Sequence, residues 1–220
     1  MVEISTSLLS IKKENSIKTI YDLEVSGTNY FHIDVMDGKF VKNNTSDIMM
    51  EYTEYIKQVA NTPIDVHLMV EDVETYIKAY VDMGVSSITF HIESLTSEDE
   101  ILRLISYIKQ NNIKVGITLN PKTPIEKIYK YIPNIHSVLI MSVVPGEGGQ
   151  SFIPSSIDKI KKLNEFIKEN NYDINIEVDG GINSQTAKDV IEAGANILVA
   201  GSYIINSENY KQAIENLKKE

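Results

Sequence analysis

The chain has 220 residues, a formal net charge of −10 and no cysteine. The lack of cysteine excludes disulfides, thiolate metal ligands and a cysteine nucleophile, and it fits the cytoplasmic location that we expect. The acidic balance argues against a nucleic-acid partner, because neutralising phosphates requires a basic face. No apolar run approaches the ~18 residues of a membrane span, and the first residues lack a signal-peptide pattern, so we expect neither a membrane helix nor a secretory signal.

Arginine is almost absent from the chain. Arg103 is the only one, and the sequence pattern places it inside a helix. We therefore do not expect an arginine fork to bind a phosphate group. Backbone N–H groups at glycine-rich turns are the alternative device.

Short β-branched runs alternate with amphipathic stretches, with no linker between them, and we predict a single domain over residues 1–220. The predicted strands are Val2–Ser7, Tyr30–Val35, Ile64–Met69, Ser87–His91, Lys114–Leu119, Ser137–Met141, Ile174–Asp179 and Ile197–Ala200. Helical periodicity lies between them, as in the segment with Ile160, Leu163 and Ile167. The alternation predicts an α/β fold, a closed (β/α)8 TIM barrel. An open doubly wound sheet is the alternative, although no Gly-x-Gly-x-x-Gly follows the first strand.

The polarity of alternate residues predicts which side chains of the second, third and seventh strands face the barrel interior. Successive side chains of a strand point to opposite faces. The apolar alternates are Phe31, Ile33, Val35, Ile64, Val66, Leu68, Ile174, Ile176 and Val178. We expect these to pack beneath the helices. Since a sheet sheathed by helices has no water-facing side, the polar alternates would then point inward.

Four ionisable residues of this inward set lie near the carboxyl ends of their strands. They are His32, Asp34, His67 and Asp179. That end is the catalytic face of a (β/α)8 barrel. Two imidazoles and two carboxylates suit one divalent ion of zinc, iron, manganese or cobalt. The alternative, four unrelated core residues, is weakened by their shared parity and position.

Glycine-bearing turns follow each of the last three predicted strands. They are Pro145–Gly149, Gly180–Gly181 and Gly201–Ser202. The loops after the seventh and eighth strands are the usual phosphate site of such barrels. Glycine lets backbone amides approach an anion, and a short helix over Ser202–Ile205 would add its N-terminal dipole. The three turns together predict a phosphate-binding cradle.

Seven segments carry motifs that are specific in combination. They are Ser5–Leu9, Phe31–Val41, Asp65–Val70, Thr89–His91, Gly116–Pro121, Val144–Phe152 and Glu177–Gly181. The His-x-Asp-x-Met-Asp-Gly-x-Phe-Val segment, together with Glu-Val-Asp-Gly-Gly, closely resembles the ribulose-phosphate 3-epimerase family. The resemblance implies a barrel of the ribulose-phosphate binding type. It also implies reversible epimerisation of D-ribulose 5-phosphate to D-xylulose 5-phosphate at carbon 3, a step of the pentose phosphate pathway.

The resemblance assigns roles to individual residues. Asp34 and Asp179 would be the acid/base groups, and together with His32 and His67 they would hold one divalent metal ion. The substrate would contact Ser7, His67, Gly146, Glu147, Gly148, Gly149, Asp179, Gly180, Gly181, Gly201 and Ser202. Met36, Met69 and Met141 would cap the metal side of the pocket, although core packing explains these methionines equally well. We expect a homo-oligomer that acts on a small ketose phosphate.

One substrate residue departs from the family's pattern, and three other functions stay open. Glu147 stands where the family usually has an aromatic residue, and its carboxylate would repel a phosphate unless it points to solvent. A 3-epimerase of a six-carbon sugar such as D-allulose 6-phosphate would use the same metal ligands. A noncatalytic sugar-phosphate binder would not need four ionisable residues. An orotidylate-type decarboxylase is disfavoured, because Asp34-x-x-Asp37-x-Lys39 replaces its Asp-x-Lys-x-x-Asp motif.

Two other inward-facing residues receive structural interpretations. For His91, after the fourth strand, we favour a structural or hydrogen-bonding role over metal ligation. Glu177 lies one layer deeper than Asp179, and Lys114 on the fifth strand is a candidate partner for it in a buried ion pair.

Overall fold

A computed structural model describes residues 2–219, which form a closed barrel of eight parallel strands. The strands are β1 (Glu3–Ser7), β2 (Tyr30–Met36), β3 (Ile64–Met69), β4 (Ser87–His91), β5 (Lys114–Leu119), β6 (Ser137–Met141), β7 (Asn175–Asp179) and β8 (Ile197–Ala200). Each strand pairs with the next, and β8 returns to β1 with Ile197 opposite Glu3. The predicted (β/α)8 TIM barrel is confirmed, and the open sheet is wrong because no strand edge is left unpaired among the described residues.

Helices cover the outside of the barrel. They are α1 (Ser16–Val25), α2 (Ser46–Val59), α3 (Val73–Asp82), α4 (Glu98–Gln110), α5 (Ser156–Glu169), α6 (Thr186–Ala193), α7 (Ser202–Ile205) and α8 (Tyr210–Leu217). Short 3-10 helices span Lys13–Asn15 and Ile92–Ser94, and a longer one, Ile125–Asn134, covers the barrel between β5 and β6. The helix α6 ends at Gly194, which has φ +119° and whose N–H donates to the carbonyls of the last turn.

Strand parity divides the core into two hydrophobic clusters. The outer cluster contains the predicted apolar alternates of β2 and β3 together with the buried faces of the helices, such as Ile160 and Leu163 of α5. A separate inner cluster contains Leu139, Met141, Val143 and Val199. This inner cluster lies beside the carboxyl ends of β6 and β8, where its side chains fill the barrel interior. The predicted division between outward apolar and inward polar residues is confirmed for β2 and β3.

The helix α4 begins with a side-chain cap. The side chain of Ser97 accepts from the N–H of Glu100, and the acidic residues of the first turn of α4 complement the helix dipole. None of the helices within residues 2–219 has the length and apolar character of a membrane span.

Candidate active site

Strand register brings the four predicted ionisable residues together. The pairing of β2 with β3 places Asp34 opposite His67, and β7 carries Asp179 to the same end of the barrel. One ligand atom from each of His32, Asp34, His67 and Asp179 lies within 4.8 Å of the others. The sequence prediction that these side chains converge is therefore met by the geometry.

Two imidazole nitrogens point into this cluster without a hydrogen-bond partner. His67 Nδ1 lies 3.3 Å from Asp34 Oδ1 and 3.8 Å from Asp179 Oδ2. His32 Nε2 lies 3.4 Å from Asp34 Oδ1. Among the described residues, neither nitrogen has a hydrogen bond, although both are buried. Two imidazoles with unpaired buried nitrogens and two carboxylates are a donor set that fits a divalent metal ion.

Asp65 orients the His32 ring by contacting Nδ1, the ring nitrogen that does not face the cluster. Its Nδ1 lies 2.7 Å from Asp65 Oδ2, and the other oxygen of Asp65 accepts from the Ser87 hydroxyl at 2.6 Å. A proton on Nδ1 leaves the lone pair of Nε2 facing the cluster, which is the arrangement that a metal-binding histidine needs. Sequence analysis assigned no role to Asp65, although it belongs to the inward set; its position opposite His32 depends on the strand register.

Glu177 lies beneath the cluster, beside Asp65. Burial and the negative charge of Asp65 raise the pKa of Glu177 well above its usual range. The predicted ion pair with Lys114 is wrong: no such pair occurs within residues 2–219, and Lys114 is exposed at the start of β5. At the start of a strand the long lysine side chain reaches water, which is a better environment for its charge than the barrel interior.

The pKa values of the two carboxyl groups in the cluster are shifted in opposite directions. Burial alone would raise the pKa of Asp34, but the neighbouring His32 and His67 outweigh it and hold that pKa below its usual range. Burial and the nearby charge of Asp34 raise the pKa of Asp179 to about 7. Two carboxyl groups whose pKa values are pushed apart are suited to act as a base and an acid in one site.

A pocket opens above the cluster at the carboxyl end of the barrel. Asp34 and Asp179 form part of its wall, and the Ser7 hydroxyl donates to Asp34 Oδ2 at 2.7 Å. The other predicted residues in the wall are Met36, Met69, Met141, Gly146, Glu147, Gly148, Gly149, Gly180, Gly181, Gly201 and Ser202. His32 and His67 lie fully buried beneath the wall, so His67 faces the cluster rather than open space.

The double-glycine turn after β7 accepts only glycine. Gly180 has φ +118° and Gly181 has φ +65°. A Cβ at Gly180 would lie 2.4 Å from Val143, and one at Gly181 would lie 2.6 Å from the backbone nitrogen of Phe152. The turn therefore needs both a left-handed backbone and the absence of a side chain, and it brings bare backbone to the pocket.

No cationic side chain belongs to the part of this pocket wall that the structure describes. Arg103 lies on the surface of α4, where both of its terminal nitrogens donate to Glu74 at 3.1 and 2.6 Å. The prediction that arginine does not serve a phosphate site is consistent with this placement. The remaining donors at the wall are backbone amides, hydroxyl groups and the side-chain amide of Gln150, which donates to the carbonyls of Val144 and Glu147.

Comparison with known proteins decides the family. The model of the family described as "Ribulose-phosphate 3 epimerase family" matches residues 3–205. The chain belongs to this family. It is 40% identical over 219 residues to ribulose-phosphate 3-epimerase of Bacillus subtilis, covering 99% of both chains. It is 39% identical to the enzyme of that name from Methanocaldococcus jannaschii, covering 100% of this chain and 91% of the relative.

The family membership confirms the resemblance seen in the sequence and makes the chain an epimerase, an isomerase of carbohydrate metabolism. A solved structure of 3-hexulose-6-phosphate synthase from Salmonella typhimurium superposes with a TM-score of 0.70 at 15% identity, covering 98% of this chain and 96% of that one. This second likeness shows the shared barrel fold alone.

Glu147, the departure from the family's pattern, is exposed at the rim of the pocket. Its backbone carbonyl and that of Val144 both accept from Gln150 Nε2, at 2.8 and 2.7 Å. The turn is also tied to the loop after β2, because Asn43 Nδ2 donates to the carbonyl of Gly146 at 2.7 Å. Side chains from neighbouring loops thus shape the turn, while the Glu147 carboxylate has access to water.

Sequence analysis missed part of the pocket wall. The additional members are Leu9, Ser10, Val143, Pro145, Gln150, Ile182 and Val199. Most of them lie within two residues of a predicted site residue at the end of a strand. Their position directly after the strand ends was the available signal, since the catalytic face of a barrel is built from these loops.

Proposed function

We propose that this protein interconverts D-ribulose 5-phosphate and D-xylulose 5-phosphate by inverting carbon 3, with Asp34 and Asp179 as the acid/base groups. The observation that carries the proposal is that two carboxylates, the buried Asp34 and the partly buried Asp179, reach one pocket from β2 and β7, on different sides of the barrel. Inversion beside a ketone requires removal of a proton from one face of the carbon and delivery to the other face. A pair of separately mounted carboxyl groups meets that requirement.

The protein's own electrostatics suit the two groups to complementary roles. Asp34, with its lowered pKa, is ionised at neutral pH and accepts the proton; Ser7 orients it through the hydrogen bond to Oδ2. Asp179, with a pKa of about 7, delivers a proton to the opposite face. In the reverse direction the two residues exchange roles.

The proposal includes one divalent ion of zinc, iron, manganese or cobalt, held by His32, Asp34, His67 and Asp179. The two partnerless imidazole nitrogens support this assignment. When bound, such an ion supplies Lewis-acid stabilisation of the negative charge that develops on the carbonyl oxygen. Met36, Met69 and Met141 lie at the ends of β2, β3 and β6 and are nearly fully buried, so they exclude water from this region without adding competing bases.

We assign the phosphate group to the glycine turns after β6, β7 and β8. These are Gly146 to Gly149, Gly180 with Gly181, and Gly201 with Ser202. The close backbone approach at Gly180 and Gly181 supports the assignment, since amides without side chains in front of them can contact phosphate oxygens.

Isotope exchange tests the chemistry. In deuterated water the wild-type protein should incorporate solvent deuterium at carbon 3 of ribulose 5-phosphate while forming xylulose 5-phosphate. Removal of metal with a chelator should abolish both events, and adding back one equivalent of metal should restore them. Turnover without exchange, or full activity of metal-free protein, would contradict the proposal. A panel that includes D-allulose 6-phosphate would identify a six-carbon substrate if that sugar reacts faster.

We extend the proposal to the organisation of the protein: a single domain over residues 1–220 that works in the cytoplasm as a homo-oligomer. Support for association comes from α1, where Ile17, Tyr21 and Val25 lie one turn apart and are 45%, 54% and 63% exposed. Light scattering in solution tests this, and a mass equal to one 24.8 kDa chain would contradict it.

A further inference from the structure

A chain of side chains runs from the back of His67 to the barrel surface. His67 Nε2 and His91 Nε2 are 2.9 Å apart, and the two rings stack with centroids 5.1 Å apart. His91 Nδ1 lies 3.4 Å from Glu93 Oε2. Both histidines are fully buried. Within residues 2–219, neither His91 Nδ1 nor Glu93 Oε2 has a hydrogen-bond partner, so each of these two atoms has only the other as a polar neighbour at ion-pair distance. We call this set, His67, His91 and Glu93, the histidine relay.

The relay ends in a rigidly held carboxylate. Glu93 Oε1 accepts from the N–H of Asn120 at 2.8 Å and from the hydroxyl of Thr123. That loop is held in turn by Lys159 of α5, whose Nζ donates to the carbonyls of Asn120, Pro121 and Thr123 at 3.1, 2.8 and 2.9 Å. Glu93 therefore has one oxygen committed to the loop after β5 and the other directed at His91.

Proton positions in the relay are linked because two nitrogens that face each other at 2.9 Å can share only one proton. If His67 Nε2 carries it, His91 Nε2 must be bare, and the proton of His91 then lies on Nδ1, facing the Glu93 carboxylate. In the opposite arrangement His91 Nε2 carries the shared proton. The bare His91 Nδ1 then faces the Glu93 carboxylate, and these two acceptors repel each other. The proton of His67 then lies on Nδ1 and points toward the metal cluster. The carboxylate at the far end therefore selects the state in which the lone pair of His67 Nδ1 faces the cluster.

Asp34 opposes the metal-ready form of the relay from the side of the metal cluster. When no metal is bound, the Asp34 carboxylate beside His67 Nδ1 favours a proton on that nitrogen, which leaves the shared proton on His91. An opposing group at the far end is thus needed to favour the metal-ready form.

We propose that His91 and Glu93 are positioning residues that fix His67 in its metal-binding tautomer and thereby set the affinity of the site for its metal ion. The inference rests on the metal site of the proposed function. Neither residue belongs to the substrate-pocket wall that the structure describes. His91 is not among the four clustered ligand residues, and its Nε2 contacts Nε2 of His67.

Glu93→Gln tests the inference with almost no change of shape. The backbone N–H of Asn120 can only donate, so the side-chain amide oxygen of the variant must take the position that accepts from it. The NH2 group of the same side chain then faces His91 Nδ1. Two donors then oppose each other in the metal-ready form. The dissociation constant for zinc should rise roughly 10- to 100-fold, the usual effect of losing a partner behind a metal ligand. At saturating zinc, kcat and KM should return to near the wild-type values, which a distorted pocket would not allow.

Glu98→Gln is the matched control. Glu98 begins α4, is exposed and pairs with Lys130, so the same chemical change there should leave zinc affinity unchanged. Unaltered zinc affinity in Glu93→Gln would overturn the inference. Failure of the wild-type protein to bind zinc, cobalt, manganese or iron would instead overturn the proposed function together with it.

A second measurement needs no variant and decides the matter if Glu93→Gln does not fold. In zinc-loaded wild-type protein, nitrogen-15 NMR of the imidazoles distinguishes protonated from bare nitrogens. His91 should be protonated on Nδ1 and bare on Nε2. A proton on Nε2 of His91 would overturn the relay.

Discussion

The barrel interior holds two layers of carboxylates that share the inward parity of their strands but have different surroundings. Asp34 and Asp179 lie in the upper layer and form part of the substrate pocket. Asp65 and Glu177 lie in the lower layer and border a small cavity at the opposite end of the barrel. Glu177 and Asp179 are two residues apart on β7, about 7 Å along the strand. That single step separates a group that can meet a substrate from one that can only act through His32.

The strongest test of this division is Asp179→Asn in the upper layer. The amide keeps the shape but cannot carry the proton, so kcat should fall roughly 10²- to 10⁴-fold, the usual contribution of a general acid or base. Because the pKa of Asp179 is raised to about 7 by burial, a neutral side chain should not destabilise the metal-free fold. Steady-state kinetics and thermal unfolding of the metal-free variant measure the two effects.

Asp173→Asn makes the same change at an exposed position just before β7 and should leave kcat unaltered. An Asp179→Asn variant with wild-type proton exchange at carbon 3 would mean that the upper layer does not carry the chemistry. Loss of the fold in that variant would contradict the electrostatic argument.

The raised pKa of Asp179 also predicts how metal binding depends on pH. A ligand must be deprotonated to bind the ion, and Asp179 holds its proton up to about pH 7. His32 adds to the effect, since Asp34 and Asp65 outweigh its burial and raise its pKa. Zinc affinity should therefore weaken as pH falls below 7, by up to about tenfold per pH unit for each proton displaced.

Calorimetry in two buffers of different ionisation enthalpy counts the protons that zinc binding releases. At pH 6 at least one should appear in solution. An affinity that is flat between pH 5 and 7, with no proton released, would show that the cluster is already fully deprotonated before the metal arrives.

Asp65→Asn probes the lower layer and should have a smaller effect than either upper-layer test. Its amide oxygen can still accept from His32 Nδ1, while its NH2 group can face the Ser87 hydroxyl, so the contact survives without its charge. Charge-assisted hydrogen bonds are roughly twice as strong as neutral ones. Zinc affinity at pH 8 should fall about tenfold, with kcat at saturating zinc near wild type. A loss of kcat that zinc does not restore would place Asp65 in the chemistry rather than in support.

The sequence alone predicted the upper layer well and the lower layer poorly, for a physical reason. Parity along β2, β3 and β7 determines which residues face inward, and the carboxyl ends of parallel strands always meet at one face. This was enough to bring His32, Asp34, His67 and Asp179 to one point. Lateral partners depend instead on the register between strands, which sequence periodicity does not specify.

Glu177 shows what register adds. Parity predicted correctly that it faces inward, but Lys114 was a poor choice of partner. The pairing of β2 with β3 places Asp65 opposite His32, and the barrel brings Glu177 close to both. The relay through His91 to Glu93 escaped detection for the same reason, because its three members come from β3, β4 and the turn after β4.

Glu177→Gln gives the smallest expected effect and the sharpest contrast within the lower layer. The raised pKa favours the protonated, neutral form of Glu177, and the amide replaces that form with a neutral group of nearly the same shape. Zinc affinity and kcat should therefore change less than about twofold, whereas Asp65→Asn weakens zinc binding.

Above the usual carboxyl pKa of 4.5, the folded wild-type protein retains a proton that the unfolded chain releases, so wild-type stability declines as pH rises. The variant lacks this decline, and denaturant unfolding at pH 7 and 9 should show its relative stability increasing with pH. A variant that instead loses stability as pH rises would mean that Glu177 is ionised in the folded protein and that both lower carboxylates support His32 by charge.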